Sequence, residues 1–314
     1  MYVNQSSVHH PDLSNAHHGL HEGETTRTFR LATFIISIPL CLLAILIDLL
    51  LIFVILKYKA FKSRGNYYIL HFAICNVVFL AAEHVLHLSM DLFFGGSIEV
   101  QYYCTFIQME NYFLDMCVIF LAGYALDEYI VMISSDYFLY MYKNGFRYVL
   151  GAVYPVHFIL SFIVTSVCFS NIYDIRFHVS FIFVTVVYVV CMAVLIKIRY
   201  DCRKSFFNKN QNLVQSLHVT LFAMLFLLPV IFYYNVLNLA EKIVVADSDM
   251  EVLRVIAVVP EYLAYATSMA LIYKLYKHKK FYKLAVCKVF CKAKSNELDF
   301  TRLDVLPPTD IENK

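Results

Sequence analysis

The sequence predicts an all-α membrane protein, a bundle of seven transmembrane helices followed by a short cytoplasmic helix. The chain of 314 residues is 60% hydrophobic and only 16% charged, with a mean hydropathy of +0.63. Soluble domains carry about 25% charged residues. Gly and Pro number only 8 and 7, so long apolar runs can stay helical. The composition excludes a soluble globular protein, a disordered chain and a coiled coil.

Seven apolar segments give the helix count, since a helix that crosses a bilayer needs about 20 apolar residues. The segments are 32–56, 67–92, 102–133, 147–169, 177–198, 212–238 and 251–274. None repeats another, which argues against the inverted repeats of many transporters. We therefore divide the chain into a tail over 1–31, a transmembrane domain over 32–276, and a final helix and tail over 277–314.

The basic residues predict the orientation. Of the 26 Lys and Arg residues, four, two and five lie in the loops after segments 1, 3 and 5, and ten follow segment 7. Only five lie on the other side. Positive residues concentrate in the cytosol, so we expect an extracellular N-terminus. The single N-x-S/T pattern begins at Asn4, a glycosylation site on the same side.

The nine cysteines predict no metal site and no cofactor, because no CxxC or Cys/His cluster has zinc-like spacing. Cys287 and Cys291 lie four residues apart in a basic stretch that flanks the membrane. Both can face lipid on one side of a helix, which makes them candidates for palmitoylation. The lysines from Lys274 to Lys294 favour anionic membrane lipid as a partner.

Four short motifs occur in the order expected of one receptor family. The stretch 70–80 (LHFAICNVVFL) resembles LNLAxxDLLFL in helix 2 of rhodopsin-family (class A) G-protein-coupled receptors, and 126–130 (LDEYI) resembles LDRYI in helix 3. Ile47-Asp48 stands where the family has Gly-Asn, and 269–273 (MALIY) resembles NPLIY. Phe281 opens a basic stretch similar to helix 8. The resemblance covers about residues 32–293 and implies a receptor at the plasma membrane.

The resemblance also implies roles for individual residues. Cys104 and Cys168 stand where the family joins helix 3 to the second outer loop by a disulfide. Asp48 and Asn76 stand where the family packs an Asn against an Asp, with the two residue types exchanged, and imply a polar core. The residues implied to face a heterotrimeric G protein are Asp127, Glu128, Tyr129 and Tyr273.

The stretch 260–265 (PEYLAY) resembles the TESLAF-like stretch of chemokine receptors, whose Glu faces the ligand pocket. This implies a chemokine or another extracellular ligand. Our candidates for the ligand pocket are Glu261, Glu110, Tyr112 and Asp115. We expect no enzymatic activity and no nucleic-acid partner. The loss of several core motifs on a short chain is typical of virus-encoded receptors of the herpesvirus type.

Glu128 is the largest departure from the family, because it reverses the charge of the helix 3 Arg. It cannot form the family's inner ion pair, which implies altered or ligand-independent coupling. Three other interpretations stay open: a nematode-type chemosensory receptor, a silent or scavenging receptor homologue, and a seven-helix transporter or membrane enzyme.

Overall fold

A computed structural model describes residues 16–82, 100–134, 136–169, 176–204, 211–242, 256 and 258–290. These residues form eight α-helices and one 3-10 turn, Lys59–Phe61, and contain no strand. The helices are α1 (Ala16–Lys57), α2 (Arg64–Ala81), α3 (Val100–Ile133), α4 (Asp136–Phe169), α5 (Arg176–Lys204), α6 (Gln211–Lys242), α7 (Val258–His278) and α8 (Lys280–Phe290).

Five of these helices are long and apolar enough to cross a membrane. The apolar spans are Ile35–Lys57, Gln108–Ile133, Gly145–Val167, Ile182–Cys202 and Leu213–Tyr233. In hydrocarbon every backbone polar group needs an internal partner, and a helix supplies one within the segment. The prediction of an all-helical fold is thus confirmed for the described residues, and the five candidate spans fit a multi-pass membrane protein, whereas the count of seven spans stays a prediction. The described parts of predicted segments 67–92 and 251–274 are α2 and α7, with 18 and 21 residues.

Several helices extend beyond the predicted segments. The fourth begins at Asp136 rather than near 147, and the fifth ends at Lys204 rather than near 198. Apolar runs mark only the part of a helix that suits hydrocarbon. Backbone hydrogen bonding continues into polar sequence where no strong helix breaker intervenes, so hydropathy underestimates helix length.

The third helix is the centre of the bundle. It packs against α2, α4, α5 and α6, while α7 packs against α1, α6 and α8. Half of the α3 and α6 spans is buried, compared with 22% of the α4 and α5 spans. Since α4 and α5 leave most of their apolar residues exposed, these two helices present the largest lipid-facing surface.

A glycine sets the distance between α2 and α3. A Cβ added to Gly123 would lie 2.6 Å from a ring carbon of Tyr68, far inside van der Waals contact. Membrane helices approach closely where small residues meet a neighbour. The absence of a side chain at Gly123 therefore gives room for the Tyr68 ring, which packs edge-to-face on Phe146 with ring centroids 5.6 Å apart.

The last helix packs back onto the start of the bundle. The Tyr282 hydroxyl donates a hydrogen bond to Asn66 Oδ1 at 3.0 Å, and its ring packs edge-on against Phe61 at 4.6 Å. The Lys288 ammonium lies over the Tyr58 ring at 5.2 Å. Contacts with α2 and with the chain between α1 and α2 thus hold α8 at the same end of the bundle as the Glu128 end of α3.

Candidate functional site

The centre of the bundle contains a polar cluster of Asp48, Asn76 and Ser268, which are at most 1% exposed. The Asn76 amide donates to Asp48 Oδ2 at 2.7 Å and to Ser268 Oγ at 2.8 Å. The Ser268 hydroxyl donates to the same Asp48 oxygen at 2.8 Å. Three helices, α1, α2 and α7, each contribute one member.

This cluster is a joint between helices. An ionisable side chain at membrane depth is costly unless neighbours satisfy it. Asp48 Oδ2 accepts two hydrogen bonds, whereas Asp48 Oδ1 has no partner among the described residues. The thiol of Cys117 on α3 lies 3.9 Å from Asn76 Oδ1. The structure therefore brings Asp48 and Asn76 together and adds Ser268, which the sequence analysis did not single out.

A second buried carboxylate lies on the N-terminal half of α3. After the predicted orientation, we call this half of the bundle outer and the opposite end, which carries Asp127 and Glu128, inner. Asp115 Oδ2 and His157 Nε2 are 3.2 Å apart, at ion-pair distance but without the alignment of a hydrogen bond. Their side chains are 1% and 5% exposed. The His157 ring stacks between Tyr112 and Phe183, with ring centroids 5.3 and 5.6 Å apart. These contacts join α3, α4 and α5.

The four candidate pocket residues have different neighbours. Asp115 and Tyr112 contact His157 on α4. Glu261 is half-buried near the start of α7, and its charge acts on Tyr233 of α6 and on Tyr262. Glu110 is half-buried on α3. The structure therefore pairs Tyr112 and Asp115 through one histidine, while Glu261 lies on the side of α6.

The inner end of α3 contains a third buried carboxylate, Asp127, which is 4% exposed. Arg64 of α2 places its Nε 3.4 Å from Asp127 Oδ1, and the Tyr142 hydroxyl donates to the same oxygen at 2.8 Å. The guanidinium lies over the Tyr142 ring at 5.3 Å. Burial, followed by the charge of Asp127, raises the pKa of Tyr142, so its hydroxyl stays protonated as a donor.

The neighbouring Glu128 points to a different partner. It is half-buried, and its charge acts on Lys279, which lies between α7 and α8. Burial lowers the pKa of Lys279, and the Glu128 carboxylate opposes that shift by favouring the charged ammonium. Glu128 Oε1 also lies 3.9 Å from the position of a Cβ at Gly65. The Glu128 carboxylate thus lies between α2 and the α7–α8 junction.

The other two residues assigned to the G-protein side have separate environments. The Tyr129 hydroxyl donates to Asp201 Oδ2 of α5 at 2.8 Å. Tyr273, near the inner end of α7, is 54% exposed. Tyr129 therefore joins α3 to α5, and Tyr273 is open to surrounding lipid or solvent.

Several predicted sites lie outside the described residues or side chains. These are Asn4, Cys291 and the predicted disulfide of Cys104 and Cys168. Cys287 is a free, half-buried thiol on α8. Among the described residues, no group of three or more His, Cys, Asp or Glu side chains could hold a metal ion.

Comparisons with known proteins leave the family open. No family model matches the chain, and no curated protein matches it. The functional argument therefore depends on the motifs of the sequence and on the geometry of the helical bundle.

Proposed function

We propose that the chain is a seven-helix cell-surface receptor of the class A G-protein-coupled type, with its N-terminus outside and weak or absent ligand control. In this proposal α2 and α7 complete the seven spans, and α8 lies along the cytoplasmic surface. The G protein binds at the end of the bundle where α3 carries Asp127, Glu128 and Tyr129. Virus-encoded, chemokine-receptor-like origin is the proposed ancestry.

One observation carries the proposal: two residues that the motifs align, Asp48 and Asn76, contact each other and a serine across three helices. Asp48, Asn76 and Ser268 join α1, α2 and α7, which are the helices that the motif order assigns to positions one, two and seven. Polar groups in a membrane protein are retained mostly where they serve a bundle interior or a function. A short helix after α7, packed on the inner end of the bundle, gives independent support.

The environment of Glu128 supports weak ligand control. The family uses an Arg at this position as the inner lock. Here the charge of the α3 carboxylate acts on Lys279 at the α7–α8 junction, and a partly exposed pair of this kind contributes about 0–1 kcal/mol. This is too little to hold one state firmly. We expect either ligand-independent signalling or, in the silent alternative, no signalling at all.

Topology and coupling are tested together in cells. An N-terminal epitope tag should stain on intact cells, and a C-terminal tag only after permeabilisation. At equal surface level, a panel of G-protein activation assays without added ligand should show output above that of mock-transfected cells. The reverse staining pattern contradicts the receptor proposal. Low basal output with a large response to one agonist contradicts weak ligand control.

A silent receptor homologue is the second candidate, because Arg64 and Tyr142 close over Asp127. That cluster ties α2, α3 and the start of α4 together at the inner end. No basal output through any G protein, combined with uptake of an extracellular ligand, would favour this candidate over a signalling receptor.

A further inference from the structure

A recess opens between α2 and α4 near the inner end of the bundle. It has a volume of about 350 Å³. On α2 it is lined by residues four apart, and on α4 by residues three and four apart, so each helix presents one face to it. The lining residues are Tyr67, His71, Phe146, Arg147, Leu150 and Gly151.

The walls of this α2–α4 recess suit an apolar chain. The lining is mostly apolar and includes two aromatic rings and a leucine, and a Cβ added to Gly151 would meet no atom within 4 Å. Small-molecule sites typically have volumes of about 300–1,000 Å³, with apolar walls and a few placed polar groups. The recess lies at the lower end of that range and is open on the side of Gly151.

The mouth of the recess carries a positive charge. Arg147 is exposed and lies at the start of the candidate span Gly145–Val167, and the end of a membrane span is where lipid headgroups meet hydrocarbon. It has no carboxylate partner among the described residues, whereas Arg64 on α2 pairs with Asp127. A guanidinium matches a phosphate in both charge and geometry. None of the lining residues is acidic.

A histidine, His71, forms the wall of the recess that faces the centre of the bundle. His71 Nδ1 lies 2.6 Å from the Tyr154 hydroxyl, so that nitrogen is already engaged, and the ring packs at 5.2 Å from Phe120. Its role is to close the back of the recess. Arg147 is therefore the group that selects the head of a bound molecule.

We propose that the α2–α4 recess binds an anionic phospholipid, with its phosphate on Arg147 and one acyl chain along Tyr67, Leu150 and Gly151. The occupant follows from the observations: an apolar groove on the lipid-facing side, with the Arg147 guanidinium among its described lining residues at the end of the span. This site is separate from the lysines around α8. The inference needs only that the helices span a bilayer, and it holds whether or not the receptor function does.

The test uses the full chain in nanodiscs and an anionic phosphatidylglycerol probe with a photoactivatable acyl chain. A phosphatidylcholine probe with the same acyl chain is run in parallel. In the wild type, mass spectrometry of the labelled peptides should place phosphatidylglycerol adducts on α2 and α4 around the recess. Arg147→Gln should lower the yield of these adducts roughly fivefold, which is the contribution of one basic residue to binding between a protein and anionic lipid. The variant should then label equally with phosphatidylglycerol and with phosphatidylcholine.

Matched variants separate the site from general charge and size effects. Arg199→Gln removes an exposed Arg from α5 and should leave the adducts on α2 and α4 unchanged. Gly151→Leu should fill the recess and abolish labelling by both probes. Gly145→Leu places the same side chain at a second glycine of α4 with open space around its Cβ position. This variant should still be labelled by both probes.

Three results would overturn the inference. The first is adducts that map away from α2 and α4. The second is an equal loss of adducts in Arg147→Gln and Arg199→Gln. Such a result would mean that the total positive charge of the protein surface, and not Arg147 at the recess, attracts the anionic lipid. The third is displacement of phosphatidylglycerol by a sterol whose binding is insensitive to Arg147→Gln, which would make the recess a sterol site.

Discussion

Two clusters in the bundle satisfy a buried carboxylate with different kinds of partner: the polar cluster at its centre and the charged cluster at its inner end. Asp48 is 0% exposed and is held by an amide and a hydroxyl. Asp127 is 4% exposed, but its partner Arg64 is 22% exposed. Water can replace a partner only at the inner end. This difference indicates that the central cluster is a fixed joint, a contact between three helices that cannot exchange its partners for water, whereas the inner cluster can.

The largest effect is expected from Asn76→Leu. It removes the amide that donates to both Asp48 and Ser268, so only the Ser268 hydroxyl still donates to a carboxylate that has no access to water. Losing a hydrogen bond to a buried charged group costs about 3 kcal/mol. Asp48→Asn serves as the control, because it removes the charge and keeps an oxygen acceptor for Asn76 and Ser268. Thermal melting of the purified protein should order the two variants, with Asn76→Leu lower. Equal melting temperatures would contradict a fixed joint at the centre.

Gly123→Ala should rank second. Its added Cβ overlaps the ring of Tyr68, and overpacking of this kind costs about 1–3 kcal/mol. Gly145→Ala adds the same atom where nothing lies within 4 Å and should be neutral. Combining Gly123→Ala with Tyr68→Leu should recover part of the loss in melting temperature. Full additivity of the two changes would mean that the ring does not meet the new methyl group.

Tyr142→Phe should have a smaller effect. It removes a hydrogen bond to the Asp127 carboxylate. A hydrogen bond to a charged group is worth about 1.5–3 kcal/mol, and we expect the lower end because Arg64 remains beside the carboxylate. Tyr148→Phe is the matched control, since Tyr148 is 81% exposed. If melting shows that Tyr142→Phe is as harmful as Asn76→Leu, the inner end is as rigid as the centre and the comparison fails.

The smallest effect is expected for the pair of Glu128 and Lys279. A double-mutant cycle of Glu128→Gln and Lys279→Gln should give a coupling of about 0–1 kcal/mol in melting experiments. Burial holds the folded-state pKa of Lys279 below its ordinary value of 10.5. Its ammonium therefore costs stability near neutral pH, and the cost fades as pH rises toward 10.5. Lys279→Gln should remove that rise in stability, and an unchanged pH profile would contradict the burial of this ammonium.

The sequence predicted much of the central cluster but little of the inner one. Asp48 and Asn76 are conspicuous because each is a polar residue inside an apolar run, and the motif order implied that they meet. Ser268 gave no signal, since a serine is common in membrane helices and hydrogen bonds to its own backbone there as readily as to a neighbour. The helical class followed from composition alone.

The inner cluster depends on how helices pack, which a single sequence does not encode visibly. Arg64 was counted among the loop charges that set orientation, yet it opens α2 and faces Asp127. Tyr142 lies in a stretch that hydropathy left outside the fourth segment, because α4 begins earlier than its apolar run. Lys279 is one of many lysines near α8, and only the fold shows that burial and Glu128 single it out.

The most direct test of the account is the basal G-protein activation of Glu128→Arg at equal surface level. Under the proposed receptor function we expect a clear change from wild type, because the variant introduces the charge that class A receptors carry at the proposed G-protein side and repels Lys279. Glu297→Arg makes the same change of charge in the C-terminal tail and should leave output at the wild-type level. Unchanged output in Glu128→Arg, or an equal change in both variants, would contradict the claim that Glu128 sets coupling.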